Sequence, residues 1–131
     1  MPPLALSMPP LFLTMAGGAI GAGFRYVAST AALRAFGIQF PWGTLSINIV
    51  GGFFMGVLVA SLSRFGAGGE PWRLFLGVGF LGGFTTFSAF SLETWAMIER
   101  GQALPAIGYI AASVIGSVAA LALGLTLVRT L

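Results

Sequence analysis

The 131-residue chain has no cysteine, histidine, lysine or aspartate. Without cysteine there are no disulfides and no thiolate metal sites, and without histidine the most common general base and transition-metal ligand is missing. An enzyme would have to work with Glu93, Arg25 and hydroxyl groups, so we expect the protein not to be an enzyme. The arginines form no basic cluster, which excludes a nucleic-acid-binding module.

Charge is scarce along this chain, and apolar residues dominate. Charged residues make up 7% of the sequence and hydrophobic residues 57%, whereas average soluble chains carry about 25% charged residues. Four apolar stretches each reach the roughly 20 residues that a membrane-spanning helix needs. They run from about 11 to 35, 42 to 63, 72 to 98 and 104 to 128, which predicts a single four-helix transmembrane domain over 1–131. Residues 1–10 are proline-rich and uncharged, and we interpret them as a short disordered lead.

The arginines that flank the spans give almost no bias in orientation. Arg64, Arg73 and Arg129 fall on one side of the membrane, and Arg34 and Arg100 fall on the other. The positive-inside rule normally gives a clear orientation. One interpretation is that the chain inserts both ways and pairs with an inverted copy of itself; the alternative is that a weak bias suffices for one orientation. Four helices are also few to enclose a pathway, which favours an oligomer.

The third span contains a segment that a lipid-facing helix does not need. Residues 82–91 gather two adjacent glycines, three phenylalanines and four hydroxyl residues. Each glycine weakens a helix by about 1 kcal/mol relative to alanine. Irregular backbone at this depth persists only inside protein or beside a watery cavity. We therefore predict a helix break near 82–86 that serves as a site for an ion or small solute.

The break offers backbone oxygen atoms to a ligand. If the glycine pair unwinds the helix, the carbonyls of Gly82 and Thr85 lose their intrahelical partners. Freed carbonyls are hard oxygen ligands that suit a small alkali cation, and a two-fold axis would double their number. The alternative is a flexible packing kink that binds no ion.

Aromatic and hydroxyl side chains alternate after the break. Phe87 and Phe90 are three residues apart and are expected on one face, where the positive edges of their rings suit a small anion. Such a pair taken alone is commonly core packing. The interleaved hydroxyls, Ser88 among them, supply donors that replace the water around an anion.

The second and fourth spans add neutral donors. Thr44 and Asn48 lie one turn apart, and Tyr109, Ser113 and Ser117 follow at four-residue spacing. Together they predict a polar track without a fixed cation, which suits the passage of an anion rather than its capture. For Asn48 the alternative is an interhelical hydrogen bond.

Arg25 and Glu93 are the charges that fall clearly within spans. Two arrangements are open. The two side chains pair with each other, or Arg25 gathers anions at a pore mouth while Glu93 accepts hydrogen bonds near the track.

These segments resemble those of the CrcB/Fluc fluoride channels. Residues 82–91, Gly-Gly-Phe-Thr-Thr-Phe-Ser-Ala-Phe-Ser, are similar to the family signature GG-x-TTFS-x-F. The resemblance continues through Gly-Thr-Leu-Ser-Ile-Asn at 43–48, Gly-Gly-Phe at 51–53, Gly-Gly-Ala-Ile-Gly-Ala at 17–22, Arg25-Tyr26, Tyr109 and Ser113. It covers nearly the whole chain in order and spacing. Ala89 stands where the family often has a hydroxyl residue, so one polar contact is expected to be missing.

The resemblance implies a dual-topology homodimer of four-helix subunits in the bacterial plasma (inner) membrane, with two antiparallel fluoride pores at the interface. It also implies that the backbone carbonyls of Gly82 and Thr85 from each chain coordinate a central sodium ion that is not transported. The side chains implied to line the fluoride path are Asn48, Phe87, Phe90, Tyr109 and Ser113.

The sequence therefore predicts an all-α membrane protein that lets fluoride leave the cytoplasm passively and so lowers its toxicity. Two other functions stay open. A small dual-topology drug–proton antiporter needs a membrane-embedded carboxylate, for which only Glu93 is available. A structural subunit of a larger membrane complex would use the same polar residues as interhelical contacts.

Overall fold

The computed structural model describes residues 8–131, which are helical apart from short connections. The elements are α1 (Met8–Phe36), α2 (Trp42–Leu62), a 3-10 turn (Gly66–Gly69), α3 (Glu70–Trp72), a π-helical segment (Arg73–Leu81), α4 (Gly82–Phe84), α5 (Phe87–Glu99) and α6 (Ala103–Arg129). The elements from α3 to α5 make up one span, Glu70–Glu99, so four helices of the described chain are long and apolar enough to cross a membrane. The predicted all-α class with four spans is confirmed.

The first helix begins earlier than the sequence suggested. α1 starts at Met8, so Pro9 and Pro10 lie in its first turn. Proline is tolerated there because the N–H that it lacks would have no intrahelical acceptor. The interpretation of 1–10 as a disordered lead is therefore wrong for residues 8–10, and residues 1–7 lie outside the described part of the chain.

The helices pack as two pairs, with α2 along α6 and α1 along the third span. At Gly56 an added Cβ would overlap the carbonyl oxygen of Leu121 on α6, and at Gly21 it would overlap the carbonyl oxygen of Phe80 on the third span. Glycine permits this close approach of two backbones, which is how helices associate in lipid without a hydrophobic driving force.

The third span is irregular before it breaks. Its π-helical segment has wide turns, and the N–H of Gly82 donates to the carbonyl of Gly77, five residues earlier. Wide turns of this kind in the middle of a helix occur frequently at functional sites.

The break itself lies at two threonines rather than at the glycine pair. Gly82 and Gly83 stay helical, whereas Thr85 (ψ 158°) and Thr86 (ψ 124°) are extended, and α5 begins at the next residue. Glycine serves packing at position 83, since an added Cβ there would lie 2.5 Å from the carbonyl oxygen of Gly18. A break near 82–86 is confirmed, but the unwinding of the glycine pair is wrong, because both glycines are helical and Gly83 packs against α1.

A small buried cluster lies beside the break, between α2, α5 and α6. Its largest fully buried side chains are Tyr109 and Met97, and Leu45, Phe90 and Ala106 pack with them. Many other large apolar side chains of the described chain lie on the outside. An apolar exterior is compatible with lipid, whose tails are as apolar as leucine.

Candidate functional site

One side chain from α2 closes the break in the third span. Asn48 donates from Nδ2 to the Thr86 carbonyl at 3.0 Å, and its Oδ1 accepts from the Thr86 N–H at 2.9 Å. Both backbone groups of Thr86 are thereby satisfied where lipid offers no partner. The interhelical hydrogen bond left open for Asn48 is therefore formed. A side-chain amide carries two donor hydrogens, so one is left for another acceptor.

Hydrogen bonds at the break also free carbonyl groups of the third span, among them those of Gly82 and Thr85. In a continuous α-helix the Thr86 N–H would bind the Gly82 carbonyl, but Asn48 holds it. The Ala89 N–H would bind the Thr85 carbonyl, but it donates instead to the side-chain oxygen of Thr86 at 3.2 Å. The carbonyls of Gly82 and Thr85 have thus both lost their helical donors, and backbone oxygens freed in this way suit an alkali cation.

The two threonines of the break have separate structural roles. Thr86 is the N-cap of α5 and accepts from the backbone there. Thr85 donates from Oγ1 to the Leu81 carbonyl at 2.9 Å, and its methyl group packs on Gly51, where an added Cβ would overlap it. Sequence reasoning missed Gly51 as a site residue. The available signal is its position three residues after Asn48, which places both on one face of α2.

A groove of about 430 Å³ runs along the break between α2, α5 and α6. Its polar and aromatic lining consists of Asn48, Thr85, Thr86, Phe87, Phe90, Ser113 and Ser117. Ser113 is 7% exposed, and its Oγ has no hydrogen-bond partner among the described residues. An unpaired buried hydroxyl costs about 1–3 kcal/mol, and a ligand bound at this lining residue would offset that cost.

Phe87 and Phe90 line the groove side by side, with ring centroids 5.4 Å apart. They differ in burial. Phe90 is 9% exposed and its ring lies 5.2 Å from that of Tyr109, whereas Phe87 is 76% exposed. Phe87 therefore marks the side on which the groove is open to the surface of the chain.

Beyond Phe90, the carboxylate of Glu93 accepts two short hydrogen bonds. Thr44 donates from Oγ1 to Oε1 at 2.7 Å, and Tyr109 donates its hydroxyl to Oε2 at 2.7 Å. Thr44 and Glu93 also line a second cavity, of about 320 Å³, next to the connection between α1 and α2. The Glu93 cluster, composed of Thr44, Glu93 and Tyr109, lies between the groove and this cavity.

Arg25 does not bind Glu93. Its Nε donates to the Gly83 carbonyl at 3.1 Å, and the ion pair of the described chain joins Glu70 and Arg73. The proposed pairing of Arg25 with Glu93 is therefore wrong. The reason is that Arg25 lies on the α1 side of the third span before the break, whereas Glu93 faces α2 and α6 after it.

The structure gathers most of the predicted track on one side of the third span. The residues brought together along the groove and the Glu93 cluster are Thr44, Asn48, Phe87, Phe90, Tyr109 and Ser113. Ser88 is exposed, and its Oγ lies 3.4 Å from Oγ1 of Thr86 without lining the groove. Gly82 is exposed as well. Met55 and Val114 also line the groove. The sequence did not predict them, because an apolar residue within a membrane span does not differ from its lipid-facing neighbours.

A family model described as CrcB-like protein, Camphor Resistance (CrcB), matches residues 12–125. The chain belongs to the CrcB family. The matched region contains every residue of the break, the groove and the Glu93 cluster. With four membrane-spanning helices, this CrcB-family chain is a multi-pass protein of the bacterial inner membrane.

Three curated relatives are each named "Fluoride-specific ion channel FluC". The protein of Sphingopyxis alaskensis is 54% identical over 92% of this chain and 96% of its own length. That of Mesorhizobium japonicum is 54% identical over 92% of this chain and 97% of its own length. That of Caulobacter sp. strain K31 is 53% identical over 93% of this chain and 96% of its own length. A family of ion channels agrees with the expectation that this chain is not an enzyme.

Proposed function

We propose that this CrcB-family protein is a fluoride-selective channel. The observation that carries the proposal is the groove at the break, where Ser113 offers an unpaired buried hydroxyl and Asn48 an unused amide hydrogen. Among residues 8–131, no basic side chain lines this groove. Fluoride is small and strongly hydrated, so several close neutral donors are needed to replace its water, while a fixed cation would trap it. The names of the relatives support fluoride as the anion.

The ring edges of Phe87 and Phe90 supply the remaining contacts in this proposal. An aromatic edge carries partial positive charge, so it attracts an anion without the strength of a formal cation. Because Phe87 is 76% exposed, its edge is available on the open side of the groove. A narrow pore between such edges favours a small anion over a larger one.

The active assembly in our proposal is an antiparallel homodimer. The groove is open on one side of a single subunit, and a second copy related by a two-fold axis in the membrane plane would close it. The nearly balanced arginines that flank the spans are compatible with insertion in both orientations. Two equivalent grooves would then give two pores that run in opposite directions.

We propose further that a structural sodium ion joins the two copies at their breaks. The carbonyls of Gly82 and Thr85, which have lost their helical donors to other contacts, fit a small hard cation. The ion would supply positive charge that draws the backbone oxygens of both copies together, and it would not be transported.

The route from the groove to water passes the Glu93 cluster. Thr44 and Tyr109 hold their hydroxyl hydrogens on Glu93, so these donors are available to an anion only when the carboxylate gives them up. The physiological direction follows from acid trapping. Hydrofluoric acid crosses membranes as a neutral molecule and ionises at cytoplasmic pH, and a passive channel then lets the accumulated fluoride leave the cell.

The test is fluoride efflux from liposomes that contain the purified protein, read with a fluoride electrode and compared with chloride efflux. We expect fluoride efflux without chloride efflux in sodium buffer, and a decline when a bulky organic cation replaces all sodium. A well-folded dimer that passes no fluoride would contradict the channel function and favour a structural subunit.

A further inference from the structure

Arg25 continues the glycine face of α1 towards the break. Gly17, Gly21 and Arg25 are spaced by four residues and therefore share one face of the helix. An added Cβ at Gly17 or Gly21 would overlap carbonyl oxygens of Phe75 or Phe80, so the α1 backbone lies directly against the third span. The packing itself thus brings the next residue on this face, an arginine, to the break.

Arg25 supplies a donor that the break has removed. In an uninterrupted α-helix the Phe87 N–H would serve the Gly83 carbonyl. Two extended residues, Thr85 and Thr86, carry that N–H away. The Nε of Arg25 donates to the Gly83 carbonyl instead, at 3.1 Å. A hydrogen bond from a charged donor is roughly twice as strong as a neutral one.

This bond has a direct consequence for the oxygen atoms around the break. Gly83 lies between Gly82 and Thr85 in the sequence, and its carbonyl is already bound to a cation, so it is a poor ligand for a second one. Of the carbonyls of Gly82, Gly83 and Thr85, those of Gly82 and Thr85 are then left for a metal. The bond also fixes the end of the helix from which these two carbonyls project.

We propose that Arg25 is a positioning residue for the sodium site. It fastens the helix end at Gly83, keeps that carbonyl out of the ligand set and holds the carbonyls of Gly82 and Thr85 in place for the ion. This inference rests on the proposed function, since it needs a cation at the break. It differs from the pore-mouth role considered from the sequence, because Arg25 does not line the groove or the cavity beside Glu93.

The test is a sodium titration of the purified protein and of two variants, Arg25→Met and Arg25→Lys. Two quantities are measured: the sodium concentration that half-saturates fluoride efflux, and the one that half-saturates the rise in thermal unfolding midpoint. Loss of a hydrogen bond from a charged group corresponds to about a tenfold effect or more. We expect Arg25→Met to raise both concentrations about tenfold, with efflux near normal at saturating sodium. Arg25→Lys keeps the positive charge and a hydrogen-bond donor group, so we expect both sodium concentrations to rise less than in Arg25→Met.

Arg34→Met is the matched control, because Arg34 lies on the same helix, is exposed and makes no hydrogen bond to the break. Unchanged sodium dependence in Arg25→Met, with lower efflux at every sodium concentration, would overturn the proposal in favour of anion gathering. Tighter sodium binding would also overturn it, since repulsion between guanidinium and sodium would then dominate. If Arg25→Met does not assemble, an unchanged sodium dependence in Arg25→Lys overturns it. Failure of the unmodified protein to show sodium-dependent fluoride efflux contradicts the proposed function instead.

Discussion

Asn48 on α2 holds both backbone groups of Thr86, at 3.0 Å and 2.9 Å, and so replaces the helical partners that an extended residue loses. This pairing makes the break compatible with the membrane interior, where an unsatisfied peptide group costs several kcal/mol. It also diverts the Thr86 N–H from the Gly82 carbonyl. One interhelical contact therefore both stabilises the irregular backbone and frees an oxygen of the proposed sodium site.

Asn48→Asp is expected to abolish fluoride efflux while the dimer stays assembled. A carboxylate accepts from the Thr86 N–H but has no donor for the Thr86 carbonyl, and it places negative charge beside the anion path. Efflux from liposomes and the elution volume in size-exclusion chromatography check the two halves of this prediction. Loss of assembly would instead show that Asn48 is purely structural.

Phe87→Ile is expected to abolish fluoride efflux with an assembled dimer. The substitution keeps an apolar side chain but removes the aromatic edge that contacts the anion in the proposed pore. Phe12→Ile on the outer face of α1 is the matched control, since Phe12 is 57% exposed and lies far along the chain from the break. Efflux at the normal rate in Phe87→Ile would contradict a role for the ring in conduction.

Ser113→Ala is expected to separate function from stability. Its hydroxyl is buried without a partner among the described residues, so its removal relieves a cost of about 1–3 kcal/mol and loses no hydrogen bond within the subunit. We expect thermal unfolding at an equal or higher temperature, together with at least tenfold slower fluoride efflux. Lower stability with unchanged efflux would mean that the hydroxyl is a structural donor to the second copy.

Glu93→Gln is expected to slow fluoride efflux at least tenfold and to lower thermal stability. A carboxylate accepts from both Thr44 and Tyr109, whereas an amide has one acceptor oxygen, so the hydrogen of one of these hydroxyls loses its acceptor. The stability loss should be about 1–3 kcal/mol. Tyr109→Phe is the companion variant, because it removes one donor and keeps the carboxylate. Full efflux in Glu93→Gln would place the anion route elsewhere.

The conformation of Gly82 and Gly83 could not be predicted from the sequence. Two adjacent glycines predict a weak point in a helix, and the break does lie nearby. Both glycines are nevertheless helical, and Gly83 packs on α1, whose Gly18 approaches so closely that no side chain fits between them. Intrinsic propensity describes an isolated helix, and the neighbouring helix overrides it here.

The partners of Arg25 and Glu93, the two charges clearly within spans, could not be predicted from the sequence either. Their positions in the spans are plain from the sequence, and so is the need for each to find a partner. A pair between Arg25 and Glu93 would satisfy that need, and the sequence does not exclude it. In the fold they lie on different sides of the third span, where Arg25 binds a backbone carbonyl and Glu93 binds two hydroxyls.

The class of protein, the four spans and the polar segment in the third one could be predicted from the sequence, because hydrophobic length and residue type are local properties. The sequence also carried the family signature. The contacts between helices settled what the sequence left open: among the described residues the Ser113 hydroxyl is buried without a partner, and Asn48 takes the Thr86 N–H away from the Gly82 carbonyl. The physical reason is that a hydrogen-bond donor or acceptor is free only after every neighbour in space has been counted, and those neighbours come from helices far apart in the chain.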